Sequence, residues 1–182
     1  MKPLDEEIIR REVVFKGRYI TTEVRTVRLP DGQEATREIV SPPDAVGVLP
    51  IDEMGTVHLV RQHRTALGRA IIEIPAGIIG PGETPEQCGR RECEEEVGLA
   101  PGRMTRLCRF YHSVGFSTGC IELYLATALT PSKRSHAEPG EWLERVAMPF
   151  ADLVRLVETG EIVDSKTLLA VLWQLQHPDL GR

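Results

Sequence analysis

The sequence predicts an α+β fold in which a mixed β-sheet is flanked by helices and preceded by an antiparallel β extension. Short runs rich in Val, Ile and Thr alternate near period two in the first part of the chain, which is typical of strands. A glycine-rich loop then enters a helix dense in glutamate, and a helix with regularly spaced leucines closes the chain. Strands on both sides of a helix favour one mixed architecture over an all-α or all-β one.

The first part of the chain is predicted to form strands separated by turn residues. Pro30, Asp31 and Gly32 are typical of a turn, and the run Ser41-Pro42-Pro43 interrupts the sheet. The predicted strands cover residues 11–14, 19–29, 34–40, 45–51, 56–61 and 71–75. We therefore divide the chain into an N-terminal β extension, residues 1–42, and a main domain, residues 43–182.

The helix after the glycine loop has clear start and stop signals. Thr84 fits the N-cap, Pro85 the first helical position, and Gln87 the partner that completes a capping box. Gly98 is a typical residue for the end of such a helix. The sequence thus predicts one continuous helix of about fourteen residues.

The chain after this helix is predicted to return to strands and then to end in helices. Pro, Ser and Gly are frequent in residues 131–140, which predicts a loop. The predicted strands cover residues 106–111, 120–126 and 142–148, and the predicted helices cover residues 149–159 and 165–176. The leucines of the last helix recur with the spacing of a face that packs on the core.

Charge and composition exclude several classes of protein. The net charge is −5 without a basic block, so nucleic acid is not an expected partner. No run approaches the roughly 18 apolar residues that span a bilayer, and the first residues lack the apolar region of a signal peptide. A cytoplasmic protein without a membrane partner is expected. Cys88 and Cys93 are interpreted as small core residues, because no cysteine pair has zinc-site spacing.

A cluster of carboxylates is the main chemical feature of the sequence. Glu92, Glu95 and Glu96 are spaced to share one helical face, and Glu83 on the preceding loop can approach them. Like charges so placed repel by about 0.2–0.5 kcal/mol per pair, which a bound cation would relieve. Hard carboxylate oxygens favour Mg²⁺ or Mn²⁺ over zinc. The alternative is a solvated acidic face; the glycine loop and Arg91, four residues before Glu95, favour the metal site.

The same segment resembles the signature of the Nudix hydrolases. That signature combines a glycine, a distant glutamate, an Arg-Glu pair, a Glu-Glu pair and a final glycine followed by an apolar residue. Every defined position is filled, with a slightly unusual cysteine at one apolar position, by Gly77, Glu83, Arg91, Glu92, Cys93, Glu95, Glu96, Gly98 and Leu99. The resemblance implies the α/β/α sandwich of that family and metal-assisted hydrolysis of a phosphoanhydride.

The resemblance also implies roles for the residues of this segment. Glu92 and Glu96 would bind the metal directly, with Glu95 as a further ligand or one acting through water. The backbone carbonyl of Ala76 would be another ligand. Arg91 would orient the carboxylates through salt bridges, while Glu83 would either support the site or act as an outer-shell ligand.

Two runs that precede the glutamates of the signature, the second of which ends on its first glycine, are similar to those of the ADP-ribose and nucleoside-diphosphate-sugar pyrophosphatases of this family. They are residues 61–64, which read RQHR, and residues 73–77, which read EIPAG. Arg64 and Glu73 are the candidate substrate contacts, because an arginine fork binds phosphate bidentately. The alternative is a surface ion pair at the ends of two strands.

The N-terminal segment extends the resemblance. Residues 15–19 resemble the strand with which these enzymes hold the adenosine part, so Arg18 and Tyr19 are candidate substrate contacts. Arg37 lies in a place from which it would reach substrate across a dimer interface. The resemblance therefore implies a homodimer whose N-terminal extension takes part in dimerisation and in substrate binding.

In the same branch a general base lies on a loop before the last helices. Here that loop offers Glu138 and Glu141 as candidates for the base. The alternative is that both residues only make the loop soluble.

Residues 111–119 depart from the pattern of these enzymes: Val114 stands where they commonly have proline, and Gly119 where they often have glutamate. Proline fixes φ near −65°, so a loop of different shape is expected here.

These observations leave three hypotheses for function. The first is Mg²⁺-dependent hydrolysis of ADP-ribose to AMP and ribose 5-phosphate. The second keeps the mechanism but changes the small-molecule substrate to another nucleotide sugar such as GDP-mannose. The third, of a different class, is a non-catalytic sensor that binds a nucleotide metabolite; the complete set of carboxylates argues against it.

Overall fold

The computed structural model describes residues 4–133 and 142–181. The chain forms two compact units, one running to Asp44 and including Tyr111–Cys120, the other comprising Ala45–Phe110 and the chain from Ile121. The division into residues 1–42 and 43–182 stays a prediction. Glu138 and Glu141 lie outside the described residues.

The first unit is built on a three-stranded antiparallel sheet in the order β1-β2-β3. Its strands are β1 (Glu7–Lys16), β2 (Thr21–Arg28) and β3 (Glu34–Ser41). The predicted turn between the last two is present: Gly32 has φ +89°, and the backbone N–H of Gln33 donates to Asp31 Oδ1 at 3.0 Å. A Gly is needed there because its left-handed backbone is costly for other residues.

The second unit contains two sheets. A four-stranded sheet has the order β7-β4-β9-β8 and combines an antiparallel β4/β7 pair with a parallel β4/β9 pair. An antiparallel three-stranded sheet has the order β10-β5-β6. The strands are β4 (Ala45–Pro50), β5 (Thr56–Arg64), β6 (Arg69–Glu73), β7 (Ala76–Ile78), β8 (Leu99–Tyr111), β9 (Cys120–Pro131) and β10 (Leu143–Pro149).

Two helices cover opposite faces of β4. The helices of the unit are α1 (Pro85–Glu92), α2 (Phe150–Glu158) and α3 (Ser165–Gln176). Val46 and Val48 pack in one buried cluster with Cys88 of α1, whereas Leu49 packs in another with Val171 of α3. Successive side chains of a strand point to opposite faces, so the layering is helix, sheet, helix. The predicted α+β sandwich with a mixed sheet is confirmed.

The acidic helix departs from the prediction of one continuous α-helix. The α-helix ends at Glu92, and Cys93–Val97 form a π-helical turn. There the backbone N–H of Gly98, whose φ is +76°, bonds to the carbonyl of Cys93 five residues earlier. Arg145 of β10 donates to the carbonyl of Glu96 at 2.9 Å and so holds the widened turn from outside the helix.

Several strands differ from the sequence prediction in extent. The strands predicted at residues 11–14, 56–61 and 120–126 are longer in the structure, as Glu7–Lys16, Thr56–Arg64 and Cys120–Pro131. The strand predicted at residues 106–111 is only the end of β8, and the strand predicted at residues 71–75 ends at Glu73, before Pro75. No helix in residues 4–133 and 142–181 combines the length and apolarity needed to cross a membrane; the cytoplasmic location stays a prediction.

Candidate active site

The loop before α1 fixes the first carboxylate of the candidate site. The capping box is formed as predicted, because Thr84 Oγ1 accepts from Gln87 N at 3.2 Å and Gln87 Oε1 accepts from Thr84 N at 2.8 Å. One step earlier, the N–H of Gly80 donates to Glu83 Oε2 at 2.9 Å. Glu83 is thereby held at the entry to the helix, pointing back along the loop.

Arg91 connects the carboxylates of the loop with those of the helix. Its Nε lies 3.0 Å from Glu83 Oε1, and one terminal nitrogen lies 2.5 Å from Glu92 Oε1 and 3.0 Å from Glu95 Oε2. The hydrogen bond from Arg91 lowers the pKa of Glu83, and the pKa of Arg91 is raised in turn. These contacts fit the predicted role of Arg91 in orienting the carboxylates.

Glu96 and Ala76 meet on the strand beside α1. Glu96 is buried, and its Oε2 accepts a hydrogen bond from the N–H of Ala76 at 3.0 Å. Ala76 is held in place because it pairs with Gly47 in the β4/β7 ladder. The carboxylate of Glu96 and the backbone of Ala76, two of the predicted metal ligands, are therefore neighbours.

Gly77 leaves the space that Glu92 occupies. A Cβ built on Gly77 would lie 1.7 Å from Glu92 Oε1, far inside van der Waals contact. The first glycine of the signature is thus required for close approach rather than for an unusual backbone angle. It lets a buried carboxylate rest directly against the loop.

The oxygen donors brought together here suit a hard divalent cation. The carboxylates of Glu92, Glu95 and Glu96 and the carbonyl of Ala76 supply only oxygen, the ligand type of Mg²⁺ and Mn²⁺. Within residues 4–133 and 142–181, however, no three His, Cys, Asp or Glu side chains are grouped closely enough to hold a metal ion. The reason is visible in the contacts: Arg91 bridges three carboxylates, and Glu96 is turned to a backbone amide.

A buried ion cluster lies beneath Arg64. The guanidinium of Arg64 donates two hydrogen bonds, of 2.6 and 2.8 Å, to the carboxylate of Glu73, and Lys166 contacts the same carboxylate. Asp164 lies 3.0 Å from Lys166 Nζ. The side chain of Glu73 is 1 % exposed, whereas that of Arg64 is 42 % exposed. The buried carboxylate of Glu73 therefore anchors the guanidinium of Arg64, and Arg64 is the member of the pair that faces solvent.

This cluster contains a residue to which the sequence prediction gave no role. Lys166 is 7 % exposed, although lysine is rarely buried unless it is paired. Burial raises the pKa of Glu73, but the hydrogen bond from Arg64 and the charge of Lys166 outweigh it, so the net pKa is lowered. The sequence signal that could have found it is the polar run from Asp164 to Thr167 at the start of an otherwise apolar helix.

Acidification is expected to weaken the fold through Glu73. Because its pKa is lowered by folding, its contribution to stability is complete above the unfolded-state pKa of about 4.3 and is lost as pH falls through the folded-state value. We expect the advantage of the wild type over Glu73→Gln in free energy of unfolding to shrink as pH falls below about 4.3. Urea unfolding of both proteins at several pH values measures it; an advantage independent of pH would contradict the prediction.

The candidate residues of the first unit make contacts within that unit. Arg18 stacks over the ring of Tyr19, with Cζ 5.0 Å from the ring centroid. Arg37 is paired with Glu6, its Nε lying 3.2 Å from Glu6 Oε2. Val114, in the segment that departs from the family pattern, is 81 % exposed. The substrate roles of Arg18, Tyr19 and Arg37 stay predictions.

The two cysteines of the acidic segment are core residues, as interpreted from the sequence. Cys88 and Cys93 are both fully buried. Burial is the main cause that raises the pKa of each thiol to about 12. Since the thiolate is the reactive form, we do not expect either cysteine to act as a nucleophile at neutral pH.

The fold and this arrangement of carboxylates define the class of the protein. A family model described as NUDIX domain matches residues 41–171, which covers both sheets, α1 and most of α3 in the second unit. The chain therefore belongs to the NUDIX domain family. Hydrolases of this family generally need a divalent metal, in agreement with the oxygen donors described above.

Similarity to particular proteins extends over nearly the whole chain. An ADP-ribose pyrophosphatase of Bacillus subtilis (strain 168) is 38 % identical over 172 residues, covering 94 % of this chain and 93 % of the relative. A methanol dehydrogenase activator of Bacillus methanolicus is 37 % identical over 180 residues, covering 97 % and 96 %. A crystal structure of an ADP compounds hydrolase superposes with a TM-score of 0.87 at 23 % identity, covering 97 % and 96 %, which establishes the common fold.

Proposed function

We propose that the protein hydrolyses the pyrophosphate bond of ADP-ribose to AMP and ribose 5-phosphate with Mg²⁺, or Mn²⁺, as the cofactor. In this reaction the oxygen of one water forms a bond to a phosphorus atom, the bridging P–O bond breaks, and the protons of water pass to the two products. The observation that carries the proposal is the Arg91-centred carboxylate cluster in a chain similar along its length to an ADP-ribose pyrophosphatase.

The carboxylates are assigned to the metal because they cannot approach a pyrophosphate directly. Glu92, Glu95 and Glu96, with the Ala76 carbonyl, would hold the cation, and Arg91 would keep Glu92 and Glu95 in place through its hydrogen bonds. A cation bound there would neutralise phosphate oxygens and increase the acidity of the attacking water.

Arg64 is assigned to a phosphate of the substrate. Its side chain is 42 % exposed while two of its nitrogens remain anchored on Glu73. An anchored guanidinium is pre-organised, so less side-chain entropy is lost when it binds an anion. We assign Glu73 and Lys166 to positioning Arg64 rather than to direct contact with substrate.

Activity on a panel of nucleoside diphosphate derivatives tests the proposed reaction. With Mg²⁺ present, we expect ADP-ribose to have the highest kcat/KM and to release AMP. Faster turnover of GDP-mannose would select the second hypothesis. If no member is hydrolysed with either Mg²⁺ or Mn²⁺, the sensor hypothesis is favoured.

In the same assay, Glu138→Gln and Glu141→Gln test which residue is the general base. Undiminished turnover in both variants would exclude this loop as the source of the base.

We also propose that the protein is a homodimer. What supports this is β1, all ten residues of which are exposed. Large apolar side chains contribute to that surface: Ile8, Ile9, Val13, Val14 and Phe15. An exposed, extended apolar strand is an aggregation hazard unless a partner covers it, and a second copy of the chain would cover it.

Measurement of mass in solution tests the dimer. Light scattering should give twice the chain mass of 20.3 kDa. Phe15→Glu is expected to shift the mass toward the monomer, because a carboxylate buried in an interface is costly. Met54→Glu is the matched control, since Met54 is 88 % exposed outside β1. A wild-type monomer, or a dimer unaffected by Phe15→Glu, would contradict the proposal.

A further inference from the structure

Two residues link the two sheets of the second unit. β6 ends at Glu73 in the antiparallel sheet, and β7 begins at Ala76 in the mixed sheet. Ile74 and Pro75 lie between them, and both are buried. A buried backbone N–H or carbonyl that has left a strand ladder still needs a hydrogen-bond partner, so the partners of this link show what holds it.

The link is held from two sides. The N–H of Ile74 donates to the hydroxyl oxygen of Thr167 on α3 at 2.9 Å. The carbonyl of Pro75 accepts from the N–H of Val48 on β4 at 2.9 Å. The path of the chain from one sheet to the other is therefore fixed by a side chain of α3 together with the backbone of β4.

Thr167 is itself fixed for this contact. It is fully buried, and its hydroxyl donates to Asp164 Oδ2 at 2.6 Å. The same carboxylate oxygen accepts from the N–H of Thr167 at 3.0 Å, because Asp164 is the N-cap of α3. Since a hydroxyl has one proton and that proton goes to Asp164, its oxygen is left to accept from Ile74.

Both halves of the proposed site adjoin the link. Glu73, which precedes the link, anchors Arg64 through two hydrogen bonds. Ala76, which follows it, offers the carbonyl assigned to the metal and donates its N–H to Glu96 at 3.0 Å. A shift of the link would therefore disturb two of the proposed metal ligands, the carbonyl of Ala76 and the carboxylate of Glu96.

The packing around the link leaves little room for such a shift to be absorbed. The ring of Pro75 fixes its φ. A Cβ built on Gly47, which pairs with Ala76, would lie 3.1 Å from Ile74 Cδ1 and 3.5 Å from Lys166 Cδ. Closely packed groups transmit strain to their neighbours, so a change at Thr167 is expected to reach Ala76.

We infer that Thr167 is a positioning residue for the metal: its hydroxyl, by holding the N–H of Ile74, keeps Ala76 where its carbonyl can bind Mg²⁺ and its N–H can hold Glu96. The inference rests on the proposed function, to which it adds a residue outside the signature. If the hydroxyl only satisfied a buried N–H, its loss would lower stability but leave the affinity of the folded protein for Mg²⁺ unchanged.

Removal of the hydroxyl tests the inference. Thr167→Val keeps the shape of the side chain but cannot accept from Ile74. Calorimetry measures Mg²⁺ binding without substrate, at a temperature at which every variant is folded. We expect Thr167→Val to have a Kd for Mg²⁺ roughly 3–10-fold higher than the wild type, the effect of one hydrogen bond. Thr167→Ser, which restores the hydroxyl, should return the Kd to within about twofold of the wild type.

Thr127→Val is the matched control. Thr127 Oγ1 donates to the carbonyl of Gly181 at 3.3 Å, so the same substitution removes a threonine hydrogen bond elsewhere in the second unit. It should leave the Kd for Mg²⁺ unchanged. If Thr167→Val does not fold, Thr167→Cys takes its place, because a thiol is only a weak acceptor, and the same rise in Kd is expected.

The outcomes separate the role of Thr167 from the proposed reaction. Mg²⁺ binding is measured without substrate, so a protein that binds Mg²⁺ but does not hydrolyse ADP-ribose still decides whether Thr167 positions the ligands. An unchanged Kd in Thr167→Val, no recovery in Thr167→Ser, an equal rise in Thr127→Val, or no Mg²⁺ binding by the wild type would overturn the inference.

Discussion

Glu96→Gln is expected to lower the rate of ADP-ribose hydrolysis by about 10²–10⁴-fold without unfolding the protein. In the wild type, Glu96 Oε2 accepts a hydrogen bond of 3.0 Å from the N–H of Ala76. Glutamine keeps the shape of the side chain and retains an oxygen that can accept this bond. It loses the negative charge that a metal ligand supplies. Metal-assisted charge stabilisation amounts to several kcal/mol, and about 1.4 kcal/mol corresponds to a factor of ten.

Glu94→Gln is the matched control for this change. Glu94 lies two residues earlier, but its carboxylate accepts a hydrogen bond from Ser132 Oγ at 2.7 Å and holds no defined position of the signature. Its activity should stay within about twofold of the wild type. Steady-state kinetics and Mg²⁺ titration by calorimetry measure both variants. Equal losses in the two, or Mg²⁺ binding unchanged in Glu96→Gln, would contradict the assignment of Glu96.

Gly77→Ala is expected to be the most damaging single-methyl substitution in the candidate site. The new Cβ would overlap the Glu92 carboxylate, with 1.7 Å to Oε1 and 2.1 Å to Cδ. Overpacking of this kind typically costs about 1–3 kcal/mol of unfolding free energy. Displacement of a metal ligand by about 1 Å can cost about 10²-fold in rate. Urea unfolding and steady-state kinetics measure the two effects.

Shortening Glu92 tests whether a steric clash with the new methyl group causes the loss of stability in Gly77→Ala. In Gly77→Ala with Glu92→Asp, the shorter side chain leaves room for the methyl group. We therefore expect the two substitutions to be strongly non-additive in unfolding free energy, with the double variant recovering stability relative to Gly77→Ala. Activity should stay low in the double variant because the carboxylate is withdrawn. Additive losses of stability would show that the clash is not the cause.

The parts of the site that depend on local sequence could be predicted. The capping box of Thr84 and Gln87 joins residues three apart, and the spacing from Glu83 to Glu96 carries the arrangement of carboxylates. The strands could be located because the alternation of apolar and polar residues is also a property of local sequence. The layering of the fold followed from the resemblance to a known family.

The parts that depend on distant contacts could not be predicted. The residues from Cys93 to Val97 are compatible with an ordinary α-helix, and Arg145, which bonds to the carbonyl of Glu96, is 49 positions away. The burial of Lys166 depends on Glu73, 93 positions earlier. The sequence also gives no measure of how deeply a charge such as that of Glu73 is buried.

The two ends of the acidic segment have different consequences for folding. At its start, the capping box closes a loop of three residues, whereas at its end the π-helical turn is held by Arg145 across 49 residues. The entropy cost of closing a loop rises with its length, and contacts between distant residues form later than local ones. We therefore expect the turn around Thr84 to form early in folding. The π-helical turn that carries the Glu96 carbonyl is expected to be completed only when β10 docks, so the two ends of one helical segment would be fixed at different stages of folding.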